Sequence, residues 1–423
     1  MLHLLRKLRR NERGNVLILT AAAFPLLCGS AGLAVDTIQW TLWKRQLQRA
    51  ADSAAIAGVY DYQKAKDETA GRTAVTNDLV HNRKMWMALS ATPAVSFPAD
   101  NGQATRQVRV VLTVQQELPF SSIFMKAVPV ITARATAALV PAGGTACFRA
   151  GAGTSVVGIK NNGNATIDAP KCIGYSNSTS TNSASAGGSS KIVLRAIAAV
   201  GGISQSKNWK VGAYLPYSPV LPDEYADINP TSAEMTDCTA EPLSLTSLKS
   251  GRNCFSSLNV QPGTTLDLTG KISGPIFING GNVDLKGTFT CKGCTIVLTN
   301  SDPATNAHIG TYSTNAQGLN NIDATTEGKY AGLAIFQDRR AAAETINING
   351  GSGSVINGAV YFPNALLKLN GNGTSDSMCA KFNASQIEFT GTSGMTISDP
   401  DSTACRAFGM GNGGVVTIVR LVA

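Results

Sequence analysis

Nine cysteines and three histidines set the reactive chemistry open to this chain of 423 residues. Cys28 lies in an apolar run. The other eight, Cys147, Cys172, Cys238, Cys254, Cys291, Cys294, Cys379 and Cys405, all follow residue 140. An even set of this kind suits disulfides in an oxidising compartment. Cys291-Lys292-Gly293-Cys294 also has the spacing of a redox pair or of half a zinc site. A redox pair opens a helix whose positive end lowers the thiol pKa, and the surroundings here read as strand and turn. A four-cysteine zinc site needs a second close pair, which Cys238 and Cys254 do not form in sequence. A structural disulfide is the expected state.

Catalysis by ionisable side chains has little to work with. His3, His81 and His308 are scattered, and no Ser/His/Asp order or metal-ligand spacing joins them. Asp302, Asp323, Asp338, Arg339 and Arg340 are the one set that a folded coil might gather into a carboxylate–arginine cluster. The simpler reading is a solvated charged edge. No phosphate loop, EF-hand loop or nucleophile elbow is present. The sequence therefore nominates no catalytic, cofactor-binding or metal site.

The elements that carry these residues differ along the chain. Hydrophobic residues make up 43%, charged residues 15%, and glycine occurs 42 times, a balance that excludes disorder and collagen. The net charge of +9 sits wholly in residues 1–150, and the remainder is balanced. Its densest part is Arg6, Lys7, Arg9, Arg10 and Arg13 at the amino terminus, so nucleic acid is not an expected partner.

Val16 to Val35 carries no charge. At about 1.5 Å per residue it spans roughly 30 Å, the thickness of a bilayer's apolar core. Basic residues crowd its amino-terminal side, Asp36 follows it, and Trp40 and Trp43 lie at interfacial level. The positive-inside rule puts the amino terminus in the cytoplasm. A cut after Ala34, with Gly32 and Ala34 as the small residues before it, would make it a signal peptide. The run is longer than such a segment needs, so a retained anchor is expected. The helical pattern continues through Leu47, Ala51, Ala54, Gly58 and Tyr62, a stripe for packing on the protein's own sheet or on a partner helix. A second helix over 66–89 and strands at Val108–Val114 and Val130–Ala138 complete a small α+β unit.

Glu12-Arg13-Gly14-Asn15, then Gly32-Leu33-Ala34-Val35-Asp36, then Leu47-Gln48-Arg49-Ala50-Ala51-Asp52-Ser53-Ala54-Ala55-Ile56-Ala57-Gly58 resemble the start of TadE/TadG-like proteins. These belong to the tight-adherence (Flp-type) pilus assembly machinery. The resemblance covers about residues 8–60. It implies an inner-membrane protein that projects into the periplasm, with other pilus-assembly proteins as partners. The fifth residue after Gly14 is Leu19, where a type IV prepilin carries Glu, so service as a cleaved filament subunit is not implied. The Asp-x-Ser-x-Ser motif of von Willebrand A domains is absent.

From about Gly151 the chain becomes short alternating strands, such as Leu266-Asp267-Leu268, Val283-Asp284-Leu285 and Ile346-Asn347-Ile348, with Gly or Asn at the corners. Strands so short are stable only when stacked, which predicts a parallel β-helix, with a β-sandwich as the alternative. Gly332–Asp338 and Ile356–Pro363 resemble β-helical regions found behind Tad-type amino termini. Residues 176–190 read as an exposed polar loop, and the Pro-rich Tyr214–Pro230 as an irregular surface wrap. Eight cysteines allow 105 pairings, and sequence does not choose among them; stacking of chain neighbours suits the set Cys147–Cys172, Cys238–Cys254, Cys291–Cys294 and Cys379–Cys405.

The expected organisation is a basic tail (1–14), a transmembrane helix contacting lipid (15–36), a periplasmic pilin-like α+β unit (37–144) and a disulfide-bonded β-helix (145–423). The expected role is a non-enzymatic structural component of the pilus apparatus, without cofactor. A surface adhesin that binds a glycan, and a β-helix polysaccharide lyase or hydrolase, are the alternatives.

Overall fold

The computed structural model describes residues 13–81, 88–123, 127–304, 307–315, 317–350, 353–371, 374–376, 379–392, 394–397, 399–408 and 415–422. Most of the expected tail 1–14 lies outside them. The chain is mainly β, with one apolar helix near the amino terminus, and forms two compact units. The first holds the described residues up to Val140 together with those from Val419 on; the second is Pro141–Ile418.

In the first unit, helix α1 runs unbroken from Arg13 to Ala65 with Pro25 inside it. Its earlier part is long and apolar enough to cross a membrane and is almost wholly exposed. Its later part packs through Trp43, Leu47, Ala51, Ala54, Ala55 and Val59. Opposite them lie helix α2 (Glu68–His81) and an antiparallel sheet of β1 (Ala94–Ser96), β2 (Thr105–Gln115) and the start of β3 (Val130–Ala150). The pleat sends Val108, Val110, Leu112 and Val114 of β2 to the helix side, opposite Ala137, Ala135, Ala133 and Ile131 of β3. Alanines on β3 leave room for the helix, and burying Leu47 contributes about 2 kcal/mol. The second helix is shorter than the pattern over 66–89: residues 82–87 lie outside the described set, and 88–89 are not helical. Val419 joins this core, and the amide of Val422 donates to the carbonyl of Thr136.

The second unit is a solenoid of parallel strands. Its coils do not stack in chain order. From one end, 254–260 lies on 277–285, and 274–279 on 294–299. Then 296–298 lies on 335–337, 333–336 on 359–361, and 358–371 on 380–391. Residues 382–384 next pair not with later chain but with 148–150, the domain's first coil. Pairings of 387–389 with 159–161 and of 394–396 with 166–168 continue the seam on the other faces. Beyond it the stack proceeds through 172–176, 191–199 and 209–215. The chain thus enters mid-stack, winds to one end, returns to the other, and winds back to its own start.

The return is made by residues 216–253. This segment is an extended strap with one short 3₁₀ turn at Ser232–Glu234. A stack of parallel strands advances about 4.8 Å per coil, a distance an extended chain of this length easily covers. Inside the solenoid, one face of each strand buries residues such as Ile167, Ile192, Phe289, Ile322, Ile335, Val360 and Phe382 in a continuous apolar core.

The polar stretch 176–190 is not an exposed loop. It carries a strand, Ala184–Ala186, and Ser176, Ser178, Ser183 and Ser190 are buried. Their hydroxyls replace water: Ser183 donates to the carbonyl of Gly202 at 2.6 Å and Ser178 to that of Thr154 at 2.9 Å. Short hydroxyl side chains are what a tight coil corner accommodates, so here a polar composition marks buried corners.

Candidate functional site

The stripe singled out on α1 is taken up inside its own unit. Leu47, Ala51, Ala54 and Gly58 are buried, and Tyr62 is half-buried with its ring edge-on to Phe97 at 5.2 Å. A Cβ on Gly58 would meet Val75 Cγ2 at 2.8 Å and Val108 Cγ1 at 2.9 Å. Gly71 on α2 faces it, and a Cβ there would meet the Gly58 carbonyl at 3.2 Å. The stripe is small because α2 and β2 close on it. It is not open to a partner helix, which corrects that branch of the reading.

Lower on α1 the structure shows a contact that the sequence does not signal. Asp36, which closes the uncharged run, is 2% exposed. Its carboxylate accepts from the backbone N–H of Phe120 at 3.1 Å and from that of Ser121. One turn earlier, a Cβ on Gly32 would meet the Phe120 ring at 2.5 Å. The loop before the short 3₁₀ turn Ser121–Ile123 is therefore clamped to α1 by a charge-assisted pair of bonds and a glycine notch.

All eight later cysteines are paired as Cys147–Cys172, Cys238–Cys254, Cys291–Cys294 and Cys379–Cys405, with Cα separations of 5.4, 4.4, 6.0 and 5.2 Å. Cys28 is free. Cys147–Cys172 joins adjacent coils, and Cys238–Cys254 ties the strap to the coil where it ends. Cys291–Cys294 closes a turn between two strands, not the start of a helix.

The carboxylates and arginines do not converge. Arg340 pairs with Asp338 at 2.8 Å and donates to the carbonyls of Asp302 and Asn300. Burial works to raise the Asp338 carboxyl, and the Arg340 and Thr299 hydrogen bonds outweigh it, leaving the pKa below its ordinary value. Arg339 turns to the strap instead, where it meets Asp223 and the carbonyls of Ala226 and Ile228. Asp323 binds Lys292 at 2.7 Å. Among the described residues no three His, Cys, Asp or Glu side chains gather where they could hold a metal ion.

A denser ionic group lies under the strap, unseen in the sequence. Glu224 holds the buried Lys381 with both oxygens, at 2.9 and 3.2 Å. Asp223 accepts from the Tyr361 hydroxyl at 2.7 Å. Arg149 donates to the Leu221 carbonyl and to Asn383, and its pKa is lowered by burial against the pull of Asp223 and Glu224. Burial, reinforced by Asp223, holds the Tyr361 hydroxyl well above the ordinary tyrosine range, so it stays a donor. Both carboxylates are held by donors, so the arrangement fastens the strap across successive coils. The only local signal is the acidic pair after Pro222, whose partners lie more than a hundred residues away.

Residues 14–63 match the family model described as Tad, putative Flp pilus-assembly TadE/G-like. The match coincides with α1 and spans both its exposed apolar part and the packed stripe. No curated protein matches the chain, and no solved structure does.

Proposed function

We propose that this chain, whose residues 14–63 are a TadE/G-like segment, is a structural, non-enzymatic component of a tight-adherence (Flp) pilus apparatus. The observation that carries the reading is the coincidence of that match with a helix apolar and exposed at one end and packed in a small α+β unit at the other. In this reading α1 anchors the protein in the inner membrane, the basic tail stays in the cytoplasm, and the solenoid stands in the periplasm. The charge balance across the apolar run supports the orientation. Four disulfides in the solenoid fit an oxidising compartment.

A structural role is favoured because Asp323, Asp338, Arg339 and Arg340, weighed as catalytic candidates, are committed to ion pairs within the coils and with the strap. With the stripe on α1 consumed internally, contacts with other assembly proteins fall to the exposed part of α1 and to the solenoid surface. Cells lacking the chain are expected to lose Flp pili. Alkaline phosphatase fused after the last residue is expected to be active, because that enzyme matures only outside the cytoplasm. Pili in normal number, or an inactive fusion, would overturn the role or the orientation respectively.

A further inference from the structure

We propose that the loop carrying Phe120 is a second contact with the bilayer, seated among the lipid headgroups beside α1, and that the helix leaves the membrane beyond Trp40 and not at Asp36. The inference rests on the reading that α1 crosses the membrane.

A carboxylate normally marks where a span meets water. Asp36 does not face outward: it is buried against the backbone amides of Phe120 and Ser121. Past it the outer surface of α1 remains apolar, with Ile38 62%, Trp40 44% and Leu42 47% exposed. The next exposed charges are Lys44 and Arg45. From Val16 to Val35 the helix rises about 30 Å, the apolar core, and from Asp36 to Trp40 it rises about 6 Å more, the depth of one headgroup zone.

The loop lies at a depth fixed by its seat. Phe120 packs on Gly32, inside the uncharged run, yet 42% of it remains exposed. A ring held at that level, with its outer face bare, has lipid as its natural cover. The start of β3 gives a second bearing. Lys44 donates to the carbonyl of Thr132, and Gln48 to that of Arg134 at 2.8 Å, so helix and strand advance in step. Stepping back by the same increment brings Val130, 58% exposed, level with Trp40. Trp40, Phe120 and Val130 are thus exposed apolar residues beside the lipid-facing helix, and the exposed carboxylate of Glu117, three residues before Phe120, is placed to meet the headgroup zone. Their place against the exposed apolar length of α1 favours lipid over a protein partner.

The test uses the full-length protein with Cys28→Ser, reconstituted in phosphatidylethanolamine–phosphatidylglycerol vesicles. An NBD fluorophore is placed singly through Leu27→Cys, Phe120→Cys, Ser122→Cys or Lys64→Cys. Doxyl lipids quenching near the headgroup or deep in the chains report depth. The Leu27 label should be quenched most by deep doxyl, those at 120 and 122 by shallow doxyl, and that at 64 by neither. Adding Asp36→Ala should abolish quenching at 122 and leave Leu27 unchanged. Labels at 120 and 122 that behave like 64 while Leu27 is quenched would overturn the proposal and leave the span standing. An unquenched Leu27 would instead overturn the crossing itself, and this proposal with it.

Discussion

Phe148 stacks on Phe382 with ring centroids 5.7 Å apart and planes 9° apart, at the seam where the first coil of the solenoid meets the last. Phe389 closes edge-on over the same ring at 5.2 Å. The aromatic trio fills the core at the junction that turns two separately wound stretches into one stack.

Truncating either side of this seam should cost as much as deleting a fully packed core ring. Phe148→Ala and Phe382→Ala are each expected to destabilise the solenoid by about 3–5 kcal/mol, and the double variant by less than their sum. Urea midpoints of the four proteins measure this. Strict additivity would mean the rings do not act together.

Gly58→Val should disrupt the first unit, because its new side chain enters space held by Val75 and Val108. A loss of about 1–3 kcal/mol is expected, read as a lowered thermal midpoint or faster proteolysis between α1 and α2. Gly29→Val is the control, since nothing lies within 4 Å of a Cβ there.

The disulfides should rank by the loop each closes. Serine in place of both members of Cys147–Cys172, separation 25, is expected to cost roughly 3.5 kcal/mol, against about 1.6 kcal/mol for Cys291–Cys294, separation 3. Denaturant midpoints of the two double variants decide it, and a reversed order would mean local geometry outweighs chain entropy.

Asp338 gives the acid limb of stability a named contributor. Its pKa in the folded protein is lowered, so its stabilisation is complete above the unfolded carboxylate range and is lost as pH falls through the folded value. Asp338→Asn should cost about 3 kcal/mol near neutrality, and the gap to the parent should narrow as pH falls below the ordinary aspartate value of about 4. A gap constant across that range would show that Arg340 does not depend on this charge.

Period-two strands and Gly or Asn corners were enough to read a parallel solenoid, because both are local signals. Neighbour pairing of the cysteines followed from the same local logic. The seam was not legible: Phe148 finds Phe382 through pairing across most of the domain, and no local pattern specifies a partner so distant. Arg339 and Arg340 look like one charged spot, yet adjacent positions leaving a strand diverge, one to the strap and one to Asp338. In sequence Asp36 marks the edge of an anchor, because a sequence gives charge and not burial. The serines of 176–190 misled for the same reason.

The order of the stack also sets a timetable. Residues 145–215 are made first, and the strap next, so Asp223 and Glu224 exist before the arginine and lysine they will grip. The flank of 148–150 that belongs against 382–384 stays open until nearly the whole chain has been synthesised. At about 5–20 residues per second that delay is roughly 10–50 s. An unpaired edge of that age is a site for wrong pairing. Maturation of this domain therefore hinges on its final coil, and chains cut short before residue 380 keep that flank bare however well their other coils have wound.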